Sequence, residues 1–264
     1  MKISKEIILV LDTETCDLSG SVYDVGYTIT NKKGEILKTY NALVKEIFTD
    51  GKRMMGAFYA KKMFSHYAPM LDDGIVKLTD WADIVAQIRA DVAEYGVSTV
   101  AAYNAGFDLR VMKNTNELLT DGSPILGKGL KVLDIWQFAC ETKLSQKAYK
   151  KLARSRGWVS PKGNIKTSAE FCYRFTSGNH DFIESHTALD DAIIETQILA
   201  GCFAQKKKIP YGKINAQPWR LVQDKAVEND ANIHGSKTAN DDGMFKLLTS
   251  TGRGLDPNTT TKAF

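Results

Sequence analysis

The sequence predicts a mixed α/β domain in which helices cover the faces of one sheet, followed by a C-terminal extension. Two observations support this fold class. An apolar, β-branched run covers residues 7–11, and two β-rich runs at 23–30 and 36–44 are separated by residues typical of a hairpin turn. Beyond them, helical and strand-like patterns alternate. The order therefore predicts an antiparallel meander whose sheet is extended by parallel strands.

The elements after the meander follow from the spacing of apolar residues. Spacing of three and four residues predicts helices, and short apolar runs predict strands. The predicted helices cover residues 57–67, 81–92, 136–156, 168–175 and 187–204, with one more after Asp108, and the predicted strands cover 98–103 and 131–135. The periodicity fades near residue 208. We therefore expect a compact domain over residues 1–208 and a polar, basic, partly flexible extension over residues 209–264.

The composition is that of an ordinary globular enzyme or binding domain, with 43% hydrophobic and 25% charged residues in 264. The four cysteines form no zinc-binding pattern, and no apolar run approaches the roughly 20 residues of a membrane span. We therefore expect a cytoplasmic protein that does not bind membranes. Residues 206–264 hold ten Lys and Arg against six Asp and Glu. This basic balance fits a phosphate-rich partner or ordinary solvated surface.

Acidic residues stand at the edges of the predicted elements. Asp12 and Glu14 end the first strand, and because alternate residues of a strand share a face, both carboxylates can converge on one cation. Asp108 begins the helix that follows a second strand, and His186 precedes Asp191 by five positions at the start of the last helix. Each segment alone also fits a structural role, as a turn cap or as a charge beside a helix dipole.

Together these segments occur in the order DxE, NxxFD and HxxxxD. This pattern resembles the DEDDh branch of the DnaQ-like exonucleases over approximately residues 5–205. A histidine five positions before the last aspartate distinguishes this branch from the DEDDy branch, which has a tyrosine. The resemblance implies a ribonuclease H-like fold and a 3′→5′ exonuclease that releases nucleoside 5′-monophosphates.

The resemblance also implies the catalytic and metal-binding roles of the site residues. Asp12 is expected to bridge two ions of Mg²⁺ or Mn²⁺, and Glu14 and Asp191 to complete one of the two metal positions. Asp108 is expected to act partly through coordinated water. His186 is expected to be the general base, since a reference pKa near 6.5 suits it to accept a proton at neutral pH.

Substrate contacts are expected from three further residues. Thr13 is placed to give its backbone N–H to the terminal nucleotide, and Asn104 and Phe107 lie in a glycine-containing turn that can approach a nucleotide. Core packing is an equally good interpretation of Phe107. The segment 50–73 interleaves aromatic and basic residues, which fits either a platform for a single strand or a helix with a solvated basic face and a buried aromatic face.

The expected partner is a nucleic acid with a free 3′ end, with single-stranded DNA favoured over RNA. Three alternatives stay open at this point. One is an RNA exonuclease of the oligoribonuclease or tRNA-trimming type, because contacts to the 2′-OH cannot be read from one sequence. Another is a proofreading subunit whose extension at 209–264 binds a polymerase or other replication partner. The last is an inert nucleic-acid-binding module.

Overall fold

One mixed sheet of six strands forms the centre of the molecule, in a computed structural model that describes residues 6–18, 20–205 and 208–224. The strands are β1 (Ile7–Thr15), β2 (Val22–Asn31), β3 (Ile36–Val44), β4 (Leu78–Thr79), β5 (Thr99–Ala102) and β6 (Lys131–Asp134). Their spatial order is β4-β3-β2-β1-β5-β6. Strands β1, β2 and β3 pair antiparallel, whereas β5 is parallel to both β1 and β6. The predicted mixed sheet, an antiparallel meander extended by parallel strands, is therefore confirmed.

Helices cover the two faces of this sheet. They are α1 (Lys45–Phe48), α2 (Gly51–Met55), α3 (Ala68–Asp72), α4 (Trp81–Tyr95), α5 (Ala105–Leu119), α6 (Ile135–Ala139), α7 (Lys147–Ser155), α8 (Ala169–Ser177) and α9 (Ala188–Phe203). Single π-helical turns at Met63–Tyr67 and Cys140–Leu144 and a 3₁₀ turn at Pro218–Leu221 complete the set in the described ranges. The helices expected at 81–92, 168–175 and 187–204 are confirmed to within a few residues.

The segment 57–67 is not the regular helix that its apolar spacing predicts. Turns occupy residues 57–61, and a π-helical turn follows at Met63–Tyr67. The reason is tertiary: the Tyr67 hydroxyl donates to buried Asp24 at 2.8 Å, and the Lys62 ammonium pairs with Glu14 at 3.1 Å. Long-range polar contacts thus override the local helical pattern. The predicted helix at 136–156 is also divided: α6 continues into the π-helical turn at Cys140–Leu144, and residues 145 and 146 are not helical and separate this turn from α7.

Alternate residues of β1 enter two separate cores. Leu9 and Leu11 belong to the core under α4 and α5, whereas Ile8 and Val10 belong to the core under α6 and α9. The alternation is that of a strand buried on both faces. It continues past the last apolar residue, so the side chains of Asp12 and Glu14 lie on the face that α9 covers.

A glycine lets α9 lie directly on the sheet. Gly26 of β2 is paired with Asp12, and a Cβ at this position would lie 2.2 Å from the backbone of both Ala188 and Leu189. Any side chain at residue 26 would therefore collide with the first turn of α9. Farther along the helix, the hydroxyls of Thr28 and Thr196 are 2.6 Å apart. The close approach brings the first turn of α9 beside the end of β1.

The first part of the predicted extension packs against the domain. Val222 is fully buried in the core under α9, and the Tyr211 hydroxyl donates to Glu6 at 2.6 Å. The compact unit ends at Asp224. Residues 225–264, the larger part of the predicted extension, lie outside the described residues. Among residues 6–18, 20–205 and 208–224, no helix is long and apolar enough to span a bilayer.

Candidate metal and active site

Four carboxylates from distant parts of the chain meet at one edge of the sheet. Asp12 and Glu14 lie at the end of β1, and Asp108 lies in the first turn of α5, directly after β5. Because β1 and β5 are parallel, their carboxyl ends share an edge. Asp191, in the first turn of α9, reaches the same edge because Gly26 admits that helix. The sheet topology therefore brings the three sequence motifs together.

Burial and mutual repulsion disfavour the charged forms of these carboxyl groups. Burial raises the pKa of Asp12 well above its usual range, and the charges of Glu195, Asp108, Asp191 and Glu14 raise it further. Burial likewise raises the pKa of Asp108 to about 7 and that of Asp191 to about 9. Ionised carboxylates this crowded repel one another. A divalent cation, which prefers oxygen ligands, would relieve that repulsion.

One part of the site has the dimensions of a metal-binding cluster. A ligand atom of Glu14, one of His186 and one of Asp191 all lie within 4.8 Å of one another. Glu14 and Asp191 are buried, and His186 is partly exposed. With the neighbouring Asp12, the donors are mainly carboxylate oxygens, a set that suits Mg²⁺ or Mn²⁺ better than zinc. The residues present therefore fit the ions that the sequence pattern implies.

His186 is held in an uncommon backbone conformation just before α9. Its φ of 55° lies in the left-handed region, which is sparsely populated by residues other than glycine. Its ring stacks on that of Tyr59, with the centroids 4.9 Å apart, and Nδ1 is 3.7 Å from a carboxylate oxygen of Glu184. Burial lowers the pKa of His186, and the charge of Lys62 lowers it further. The imidazole is therefore largely neutral at pH 7 and able to accept a proton.

Solved structures of nucleases share this arrangement of elements. The chain is similar to a full-length 3′-exonuclease, with a TM-score of 0.52 and 12% identity over 88% of this chain and 94% of that one. It is also similar to cell-death related nuclease 4 (CRN-4), with a TM-score of 0.50 and 13% identity over 78% of this chain and 66% of that one. The chain has a ribonuclease H-like fold.

A third ribonuclease H-like structure, exonuclease X in complex with 5′ overhanging duplex DNA, aligns with 17% identity and a TM-score of 0.43 over 82% of this chain and 99% of that one. No protein-family model and no curated protein sequence matches the chain. At these identities the similarity establishes the fold, and the chemistry must be argued from the side chains.

The residues expected to contact substrate lie around the ribonuclease H-like site. The Thr13 hydroxyl donates to Asp108 at 2.8 Å, from the face of β1 opposite to Asp12. Asn104 precedes α5 with a φ of 73°, a left-handed conformation that asparagine tolerates well. Phe107 is partly buried against the core under α5, and the guanidinium of Arg110 lies 5.3 Å from its ring centroid. A substrate role for these residues stays a prediction.

Two further acids organise the start of α9 in this ribonuclease H-like fold. Asp24 is fully buried and accepts a hydrogen bond from the Ala188 backbone N–H at 3.0 Å. Asp190 is exposed and accepts from the hydroxyls of Ser185 and Thr187 at 3.0 and 2.8 Å. Both acids therefore satisfy donors at the N-terminal end of the helix, where negative charge is also favoured by the helix dipole.

Sequence reasoning missed three charged groups of the site. Glu195 is buried, accepts from the Tyr103 backbone N–H at 3.1 Å, and has a pKa raised by burial and by neighbouring carboxylates. It lies one helical turn after Asp191, so the i, i+4 relation could have placed it on the same face. Glu184 and Lys62 are also close to the site, and burial raises the pKa of Glu184 to about 7. No local pattern distinguishes these two from surface charges.

Proposed function

We propose that this protein is a divalent-metal-dependent 3′→5′ exonuclease that hydrolyses single-stranded DNA to nucleoside 5′-monophosphates. The observation that carries the proposal is the gathering of Glu14, His186 and Asp191 within 4.8 Å, beside Asp12 and Asp108. Carboxylates that can hold hard cations thus stand next to a neutral imidazole. Phosphodiester hydrolysis needs this combination of charge neutralisation and a proton acceptor.

The side chains have distinct parts in the proposed reaction. Asp12, Glu14, Asp108 and Asp191 would hold two ions of Mg²⁺ or Mn²⁺. Bound at this site, such ions would lower the pKa of water and neutralise charge on the phosphate. His186, with its lowered pKa, accepts the proton of the attacking water and carries it toward solvent, to which its ring is partly open. Its stacking on Tyr59 fixes the plane of the imidazole.

Exposed aromatic rings on the segment that contacts His186 favour a single-stranded substrate. The segment that carries Tyr59 also carries Phe58 and Phe64, which are 86% and 71% exposed. Exposed rings of this size offer stacking surfaces for unpaired bases. The 3′→5′ direction is supported by the sequence pattern and by the similarity to a structure described as a 3′-exonuclease.

The test is to incubate the protein with 5′-labelled single-stranded DNA or with RNA of matched sequence, in Mg²⁺, in Mn²⁺ and in EDTA. We expect a ladder that shortens from the 3′ end in either metal and no cleavage in EDTA, with DNA degraded faster. Asp12→Ala should reduce the rate by about 10²–10³-fold, because it removes a ligand of the ions that would stabilise charge in the transition state. His186→Gln should lower the rate at saturating metal, because it removes the group that accepts the proton of the attacking water.

Each part of the proposal has its own contrary result. Faster degradation of RNA would assign the enzyme to the RNA exonucleases, and internal cuts would refute exonuclease action. Binding of either polymer without any hydrolysis would favour the inert module. The proofreading-subunit alternative, in which the extension at 209–264 binds a polymerase, is tested separately: it requires that removal of residues 225–264, which lie beyond the compact unit, abolish association with a polymerase and leave nuclease activity intact.

A further inference from the structure

A buried lysine stands inside the acidic site. Lys62 is 6% exposed, and its Nζ lies 3.1 Å from Oε2 of Glu14. The same ammonium donates to the backbone carbonyl oxygen of His186. It also lies 4.5 Å from the ring centroid of Tyr59 and 6.0 Å from that of Tyr67. Burial of an unpaired ammonium costs free energy, and these contacts offset that cost. They therefore form a specific binding position for the positive charge of Lys62.

The position of Lys62 coincides with a predicted metal ligand. Glu14 belongs to the group whose ligand atoms lie within 4.8 Å of one another, and the same carboxylate is the ion-pair partner of Lys62. Lys62 contacts Oε2 of Glu14, so Oε1 stays available to a metal, but the like charges of the ammonium and a divalent cation on one carboxylate repel at short range. Binding of a metal by Glu14 therefore weakens its contact with Lys62.

We propose that Lys62 is an internal counter-ion that occupies Glu14 in the metal-free protein and is displaced from it when a divalent ion binds. This inference rests on the proposed metal site. It makes Lys62, which belongs to none of the three sequence motifs, a residue that positions the carboxylate of Glu14. By occupying Glu14, Lys62 limits the repulsion among the carboxylates before an ion arrives, and it lowers the affinity of the site for that ion.

The same lysine links metal binding to the histidine. Lys62 binds the carbonyl oxygen of His186, and Tyr59, three residues before Lys62, stacks on the His186 ring. The segment from Tyr59 to Lys62 thus contacts His186 twice, through the Tyr59 ring and through the Lys62 ammonium. Displacement of the ammonium breaks the second contact and alters the first. Glu184, whose carboxylate lies 3.7 Å from Nδ1 of His186, is the neighbouring acid that can serve as the alternative partner of the displaced ammonium. The segment from Tyr59 to Lys62 thereby responds to occupancy of the metal site.

The test measures Mn²⁺ affinity by titration calorimetry on the full chain without nucleic acid, so that it does not depend on catalysis. Lys62→Met keeps the length and apolar stem but removes the charge. We expect it to bind Mn²⁺ about tenfold more tightly than the unmodified protein, within the usual range of coupling between two sites. Lys61→Met is the matched control, because the adjacent Lys61 is exposed. Lys62→Arg keeps the positive charge and should not tighten binding.

The outcomes separate this inference from the proposed function. Tighter binding by Lys62→Met alone supports the counter-ion role, even if no nuclease activity is found. Equal or weaker binding by Lys62→Met overturns it while leaving the proposed exonuclease intact. Failure of all four proteins to bind Mn²⁺ overturns both. Circular dichroism of each variant establishes that it is folded, and the arginine variant supplies the comparison at constant charge.

Discussion

Substitution of Gly26 by alanine should disable the site without touching any of its charged groups. The added methyl would lie 2.2 Å from backbone atoms of Ala188 and Leu189, whereas ordinary contact begins at 3.4 Å. The first turn of α9 must therefore retreat by about 3.4 − 2.2 = 1.2 Å, since backbone cannot rotate away as a flexible side chain can. This turn carries Asp191 and follows His186, so both move relative to Asp12.

The expected loss has two parts. Overpacking of this kind costs about 1–3 kcal/mol of unfolding free energy. Misplacement of reacting groups by about 1 Å costs about 10²-fold in rate. Urea denaturation measures the first, and the initial rate of cleavage of labelled single-stranded DNA measures the second. Gly51→Ala is the control, because nothing lies within 4 Å of a Cβ at residue 51.

The reasoning would be refuted if Gly26→Ala cleaved DNA at the rate of the Gly51→Ala control. That result would mean that α9 has room to accept the methyl, or that the position of its first turn is unimportant for catalysis. A large loss of stability with full activity in the folded fraction would have the same consequence. Loss of activity in a variant that remains folded would support the role of the close approach.

Three further outcomes are expected. In metal-free protein, burial raises the pKa of Asp191 from 3.8 to about 9 and that of Glu14 from 4.5 to about 7. Between pH 3.8 and about pH 9 the folded chain therefore holds more protons than the unfolded chain. Stability should therefore fall as pH rises through this window, and saturating Mg²⁺ should remove the slope by favouring the ionised carboxylates; a melting temperature that increases with pH would contradict this. Phe58→Ala should weaken binding of single-stranded DNA by about 1–3 kcal/mol, the range for one base stacked on an aromatic ring, as measured by fluorescence anisotropy. Unchanged affinity would exclude Phe58 from the binding surface. Thr13→Val removes the hydroxyl that donates to buried Asp108 and should lower the unfolding free energy by about 1–3 kcal/mol in urea denaturation, and an unchanged midpoint would show that the hydrogen bond contributes nothing.

Local pattern accounts for much of the fold. The apolar run at 7–11 is long, β-branched and free of helix spacing, so it predicts a buried strand, and β1 is the central strand that results. The helix from Trp81 has apolar residues at three- and four-residue intervals, and α4 begins at that residue. Both signals depend on neighbours in sequence, which is why they can be read without a structure.

The sequence likewise predicts part of the candidate site, and tertiary packing decides the rest. Alternation along a strand places Asp12 and Glu14 on one face, and the order of the motifs identifies Asp108, His186 and Asp191 as their companions, all from the sequence alone. Only the tertiary structure decides that α9 lies against β2 at Gly26, and that Lys62 contacts a residue 124 positions away in the chain. Such contacts depend on how separate elements pack. A buried lysine and a solvated one have the same local sequence signal, so their difference appears only when the chain is folded.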